Sequence, residues 1–247
     1  MNKSILGLLS GLVAASIWGG MYVVSKVVLD VIPPFSLLSL RLILGSAVLG
    51  MIVLFQRKGT FTRKNFRDSF LVGIVGYGIS LGFQFVGTKL STASNGALVT
   101  SATPAFVLLF APFVLGEKNT LRRTVALVIS SLGVIAVIDP RTANLSSSLF
   151  VGNLSLFAAG LTWALYSVLV RKISLSADLL TSSTVMLMAG IPSSILFGGF
   201  ELSNQLIGEI TFGIIAGILY LGIISTALAM YLWNYAFAEL PAALASL

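Results

Sequence analysis

Cysteine and histidine are both absent from this sequence, and charged residues make up only 9% of it. Without cysteine there is no disulfide framework and no thiol chemistry. Without histidine the chain lacks the commonest general base, proton relay and metal ligand. All eight acidic residues lie at or near the ends of apolar runs. No visible carboxylate sits where it could carry a proton across a membrane, so proton coupling finds no support. Membrane hydrolases and transferases usually need a His, a Cys or a buried acid pair, and these absences leave no enzyme to read. No cofactor and no metal is expected. With so few charges, a soluble protein of this size could not cover its surface.

What the sequence does have is apolar length. Hydrophobic residues make up 57% of the chain, above the roughly 45–50% usual for soluble domains. Eight apolar segments can be read, approximately 5–29, 35–55, 70–88, 93–115, 124–138, 149–170, 179–200 and 211–237. Each is close to the roughly 20 residues that a bilayer core requires. Each must be a helix, because no backbone group can be left unpaired against lipid. Breakers follow several of them: Pro33-Pro34, Asp139-Pro140 and Pro241. Lys3 and Val13-Ala14-Ala15-Ser16 resemble a cleavable leader, but the run continues to Leu29 and is too long for a signal core. It is read as a true first helix.

The net charge of +7 invites a nucleic-acid reading. The basic residues, however, sit in short clusters between apolar runs, which is the topology signal of a membrane protein. With the N-terminus inside, eleven basic residues fall on the inner face, among them Lys3, Arg57–Arg67, Lys118, Arg122, Arg123, Arg171 and Lys172. Only Lys89 and Arg141 fall in outer loops. Both observed ends are therefore expected on the cytoplasmic side.

The sequence also repeats itself. An offset of 145 places Gly7 over Gly152, Ala14 over Ala159, Trp18 over Trp163 and Lys26 over Arg171. Leu90-Ser91-Thr92-Ala93 and Leu240-Pro241-Ala242 correspond at offsets of 149–150. The division predicted is 1–147 for a first five-helix unit and 148–247 for a second, incomplete one with three helices. A second unit that begins after five spans starts from the opposite membrane face, so the repeats are expected to be inverted. The fold class is thus an all-α integral membrane protein with eight of an expected ten helices, the last two lying beyond Leu247.

These residues carry a family resemblance. Ala14 to Trp18 and Ala159 to Trp163 form the same Ala-x-x-x-Trp pattern. Arg41, Thr92-Ala93-Ser94-Asn95, Thr103-Pro104-Ala105-Phe106 and Leu115-Gly116-Glu117-Lys118 follow in order. Thr226-Ala227-Leu228-Ala229 and Tyr231-Leu232-Trp233-Asn234-Tyr235-Ala236 complete the set. Together they resemble an EamA-type member of the drug/metabolite transporter superfamily. The resemblance implies a ten-helix inverted-repeat transporter of small organic molecules, often an exporter. The sequence departs from the small four-helix multidrug exporters, which depend on a Glu within the first helix.

Candidate site residues are polar or aromatic side chains inside apolar helices. Trp18 and Tyr22 share a helix face, as do Trp163 and Tyr166. Tyr77 and Gln84 lie on the third span, and Asn95 begins the fourth. Trp233 and Asn234 are deep in the eighth. Amides are costly against lipid and should face protein or a cavity. The bland readings are headgroup belts for the aromatics and helix-to-helix ties for the amides. Trp18 and Trp163 are mid-span, which weakens the belt reading. Lys26 precedes Asp30 by one helical turn, and a pair near the interface with a snorkelling ammonium accounts for it. Arg41 lies deeper, roughly 10 Å into its helix. An ionisable group at that depth is a functional candidate; it could hold a substrate carboxylate or bind backbone carbonyls. Glu117 is read as structural, and glycine pairs such as Gly7/Gly11 permit close helix contact.

The expected function is a secondary transporter, in the exporting direction, that moves amino acids or similarly sized amphipathic metabolites by alternating access. The alternative is a non-transporting receptor or scaffold on the same fold. The expected partners are a small-molecule substrate and the lipid bilayer of a bacterial or archaeal plasma membrane, with no nucleic acid. A homodimer is left open.

Overall fold

The computed structural model describes residues 3–56, 61–100, 102–116 and 147–246, with isolated residues between 120 and 133. Among the described residues seven helices are long and apolar enough to cross a membrane: α1 Lys3–Leu29, α2 Pro34–Gln56, α3 Arg63–Leu90, α4 Ala93–Leu115, α5 Ser148–Ser174, α6 Leu179–Asn204 and α7 Phe212–Glu239. A short α8, Ala242–Ala245, follows Pro241. These seven correspond to seven of the eight apolar segments read from the sequence. The segment at 124–138 lies largely outside the described residues, as do Arg57, Lys58, Glu117, Lys118, Arg122, Arg123 and Arg141.

The helix ends are set by local chemistry. Side chains of Thr62, Ser147, Asp178 and Thr211 cap α3, α5, α6 and α7 by accepting from the backbone N–H three residues on. α3 begins at Arg63 rather than near 70, because this capped, basic first turn extends the helix beyond its apolar part. Gly116 closes α4 in the left-handed region, at φ 69°, where glycine carries no steric penalty. Among the described residues α4 is interrupted by a turn at Ala102, and two other spans are not uniform α-helix. α3 contains a π-helical segment at Ile74–Ser80 and α7 another at Tyr220–Leu228. Hydropathy is blind to such a change, which alters the hydrogen-bond register and leaves the apolar character of the span intact.

Packing pairs α1 with α7, α2 with α6, and α3 and α4 with α5. Where α3 and α5 cross, the backbones nearly touch. A Cβ on Gly152 would lie 2.8 Å from the carbonyl carbon of Leu90 and from the Ser91 nitrogen. Gly7 and Gly11 let α1 approach Leu240 and Ala236 in the same way.

Long cationic side chains close the helix ends. Lys26 donates to the carbonyls of Thr88, Lys89 and Ser91 at 3.1, 2.8 and 2.7 Å. Its partners are therefore the last turn of α3 and not Asp30, which instead lies 3.8 Å from the Lys89 ammonium. Carbonyls at a helix C-terminus lack intrahelical donors and carry the negative end of the dipole, so they outcompete an exposed carboxylate. Arg171 does the same for α7, donating to the carbonyls of Phe237 and Ala238. At the opposite end of α2, the Glu201 carboxylate accepts from the N–H groups of Phe35 and Ser36 at 2.8 and 3.1 Å.

The backbone contact at Gly152 leads to a stability prediction. Gly152→Ala should lower the melting temperature of the purified protein, because overpacking against backbone costs about 1–3 kcal/mol and exceeds the helix-propensity gain of about 1 kcal/mol. Gly199, with nothing within 4 Å of a built Cβ, is the control: Gly199→Ala should leave the melting temperature unchanged or raise it. Equal shifts in the two variants would refute the close approach.

Candidate functional site

α1 runs alongside α7 and carries Trp18 near its middle; α5 places Trp163 and α7 places Trp233 at the same depth. Trp18 meets Trp163 edge-on at 5.6 Å between ring centroids and lies 5.1 Å from Trp233. Trp163 and Trp233 are 6.5 Å apart. These separations lie in the range where aromatic quadrupoles attract beyond simple burial. The cluster forms part of the wall of a cavity of about 600 Å³, lined from α1, α3, α4, α5, α7 and the segment through α8.

Two of the indoles are fixed from behind. Trp18 Nε1 donates to the Ser225 carbonyl at 3.1 Å, within the π segment of α7. Trp233 Nε1 donates to Ser167 Oγ at 3.0 Å. Their ring faces are thus held toward the cavity while their N–H groups are satisfied inside protein. At the end nearer Lys26, Gln84 Nε2 donates to Tyr22 Oη at 2.9 Å, and both side chains line the cavity.

Five of the ten sequence candidates line this space: Trp18, Tyr22, Gln84, Trp163 and Trp233. Three others form a buried layer behind Trp163. Tyr77 and Tyr166 hydroxyls are 2.7 Å apart, Tyr166 donates to Asn234 Oδ1 at 2.8 Å, and Asn234 Nδ2 donates to Ser183 Oγ at 3.0 Å. Tyr166 also packs on Trp163 with centroids 4.6 Å apart. This chain of bonds joins α3, α5, α6 and α7 and sets the position of the Trp163 ring. Asn95 does not line the cavity: it donates to Ser91 Oγ at 3.4 Å and to Asn153 Oδ1 at 3.0 Å, tying the start of α4 to α5.

Arg41 also lies outside the cavity lining and is fully buried. Its Nε donates to the Leu221 carbonyl at 3.2 Å and to Thr226 Oγ1 at 3.0 Å. Its Nη2 donates to Ser225 Oγ at 3.2 Å and reaches Met21 Sδ at 3.8 Å. The guanidinium carbon stands 4.8 Å over the centre of the Phe85 ring. A π segment shifts the hydrogen-bond register of its helix, and the side chains of Arg41, Trp18 and Thr226 take up its carbonyls.

Several residues of this arrangement were not singled out in the sequence. Asn153 is an amide in an apolar helix, the very signal that drew attention to Gln84, and could have been found by it. Met21, Ser183 and Ser225 carry no such signal, since a thioether or hydroxyl in an apolar run is commonplace. Chemically, the cavity offers aromatic faces along its length and an amide–phenol pair near one end. That is an environment for holding an amphipathic molecule, with nothing arranged to make or break its bonds.

Known proteins with matching sequences place the site in context. Residues 5–138 and 150–247 match the EamA-like transporter family. The uncharacterized transporter YoaV of Bacillus subtilis strain 168 is 25% identical, over 100% of this chain and 84% of its own. An uncharacterized transporter of Archaeoglobus fulgidus is 29% identical, over 89% of this chain and 76% of its own. A probable amino-acid metabolite efflux pump of Salmonella typhimurium strain LT2 is 25% identical, over 90% and 75%. A solved crystal structure of 20% identity superimposes with a TM-score of 0.71 over 97% of this chain and 82% of its own, so the fold is shared. With membrane-length helices and such bacterial and archaeal relatives, the protein is integral to a plasma membrane. This chain belongs to the EamA-like transporter family and is a membrane transporter, not an enzyme.

Proposed function

We propose that the protein is a secondary transporter that exports small organic metabolites, amino acids or amphipathic solutes of similar size, by alternating access. The observation that carries this reading is the mid-membrane cavity walled by Trp18, Trp163 and Trp233. Aromatic faces take an apolar side chain of many shapes, and the Tyr22–Gln84 pair offers hydrogen bonds to a polar end. The outward direction is supported by the efflux pump among the relatives.

Alternating access is supported by the way contacts recur across the chain. α1 and α5 each have 27 residues and start 145 positions apart; α3 and α7 each have 28 and start 149 apart. Individual contacts recur at the same offsets. Lys26 on Thr88 and Lys89 corresponds to Arg171 on Phe237 and Ala238. Tyr22 with Gln84 corresponds to Ser167 with Trp233. Gly7 against Glu239 and Leu240 corresponds to Gly152 against Leu90 and Ser91. Such pairing is what two repeats related by an in-plane two-fold axis produce, and rocking of one repeat against the other is how such folds change access.

The ten-helix architecture draws support from the same correspondence. On α5, Asn153, Phe157 and Gly160 carry α4 through Asn95 and Phe106. Their counterparts on α1, Leu8, Leu12 and Ala15, face the cavity beside Leu244 and Ala245 of α8. α8 corresponds to the start of α4. A ten-helix form would cover this flank of the cavity with a further helix.

Flux into proteoliposomes containing the protein tests the function. Trp18→Ala and Trp163→Ala should each lower flux about tenfold, the loss that follows from removing about 1.4 kcal/mol of substrate contact, while the protein stays folded by gel filtration. Normal flux in both variants would remove the site; absent flux in the unaltered protein, for a broad panel of metabolites, would favour a receptor or scaffold.

Orientation can be tested in the same cysteine-free background. Basic residues Lys3, Arg63, Lys64, Arg67, Arg171 and Lys172 lie at one end of the bundle, and that end is expected inside. A cysteine at Lys64 should resist an impermeant maleimide in whole cells, and one at Asn204 should react. The reverse pattern would invert the assignment.

A further inference from the structure

Arg41 is a buried cation whose partners among the described residues are all neutral. Its described contacts are a carbonyl, two hydroxyls, a thioether and an aromatic ring. No acidic side chain among the described residues pairs with it, and the two ion pairs found there, Arg67–Asp68 and Lys89–Asp30, lie elsewhere. Its Nη1 has no hydrogen-bond partner among the described residues, although the residue is fully buried. A charge taken out of water is costly unless an opposite charge or a full set of hydrogen bonds meets it. Here the fork is only partly engaged: Nε and Nη2 hold α7 and Nη1 is left over. A guanidinium with a spare nitrogen is shaped to receive a planar anion.

The position of Arg41 relative to the cavity is equally informative. Met21 lines the cavity with one side and contacts Arg41 Nη2 with its sulfur. The Met21 side chain therefore lies between the Nη2 side of the guanidinium and the space described above. Methionine is unbranched, with three rotatable bonds, and its contact with the guanidinium is a weak one. The neighbouring wall residues, Tyr22 and Gln84, supply a phenol and an amide at the same end.

Resting on the reading of the cavity as a substrate site, we propose that Arg41 is its anion subsite: the carboxylate of the transported molecule pairs with the Nη1–Nη2 edge of the guanidinium once the Met21 side chain swings off Nη2. The substrate class is then a monocarboxylate with an apolar body, the body lying against Trp18, Trp163 and Trp233. No bond is made or broken; a neutralising ion pair forms in place of a thioether contact.

Quenching of tryptophan fluorescence on the full-length protein in nanodiscs reads occupancy, since Trp18, Trp163 and Trp233 all border the cavity. Four probes of one size separate the charges: L-leucine, L-leucinamide, 4-methylpentanoate and isoamylamine. The two carboxylates should bind at least about tenfold more tightly than the amide and the amine, a gap of about 1.4 kcal/mol. Arg41→Met should erase that gap while the response to isoamylamine persists. If Arg41→Met does not fold, Met21→Ile serves instead: it nearly conserves volume but stiffens the side chain that must move, and it should weaken the carboxylates selectively. Equal binding of carboxylates and amide, or a gap that survives Arg41→Met, overturns the anion subsite and leaves the cavity as substrate site standing. Silence from all four probes overturns the subsite; if metabolite flux persists, the transport reading survives it.

Discussion

In the hydrocarbon core no water is available to a backbone carbonyl or N–H, so each must find its partner within the protein. An unbroken α-helix meets this demand by itself. This bundle departs from unbroken helix in several places, at the ends of α3 and α7 and in the two π segments. At the two ends and in the π segment of α7, long donor side chains supply what the ladder no longer does. Lys26 and Arg171 serve the ends, and Arg41 and Trp18 serve the π segment of α7.

The same demand links architecture to site. Because Trp18 satisfies a carbonyl of α7, its ring is held where α1 and α7 face the cavity, and Trp233 is held likewise through Ser167. The Tyr77–Tyr166–Asn234–Ser183 chain does for Trp163 what these bonds do for the other two. Rigid aromatic walls come from buried polar bonds, and a ring so held keeps its face available to a ligand without first losing rotamer freedom. Departures from regular helix are tolerable where they are buried in protein, and the π segment of α7 packs against α1 and α2.

The proposed subsite would give Arg41 two roles. Two of its nitrogens are engaged in structure and one has no partner among the described residues. A brace alone needs no spare donor, and a binding group alone needs no anchorage to a π segment. Joined, the two roles would make the helix register of α7 sensitive to what the guanidinium holds, which is how occupancy would couple to conformation under the proposed mechanism.

Much of this fold was legible in sequence. Apolar run length marks the spans because a helix must cross about 30 Å of hydrocarbon, and proline and capping residues mark their ends. The mid-span depth of Trp18 and Trp163 was legible too, from simple counting along each run. What the sequence could not distinguish is which polar residue faces the cavity and which faces another helix. Asn95 and Gln84 carry the same amide, yet one ties α4 to α5 and the other borders the cavity. Lys26 is one turn from Asp30 in sequence but closer in space to the carbonyls of α3, whose position depends on how the helices pack. The π segments, and with them the partners of Arg41, were likewise hidden, because hydropathy is indifferent to hydrogen-bond register. Sequence alone determined that these residues are helical and membrane-embedded, since lipid permits a single chain segment little else. Only the tertiary structure decided which of them meet, because contacts between helices far apart in sequence follow from packing geometry and not from composition.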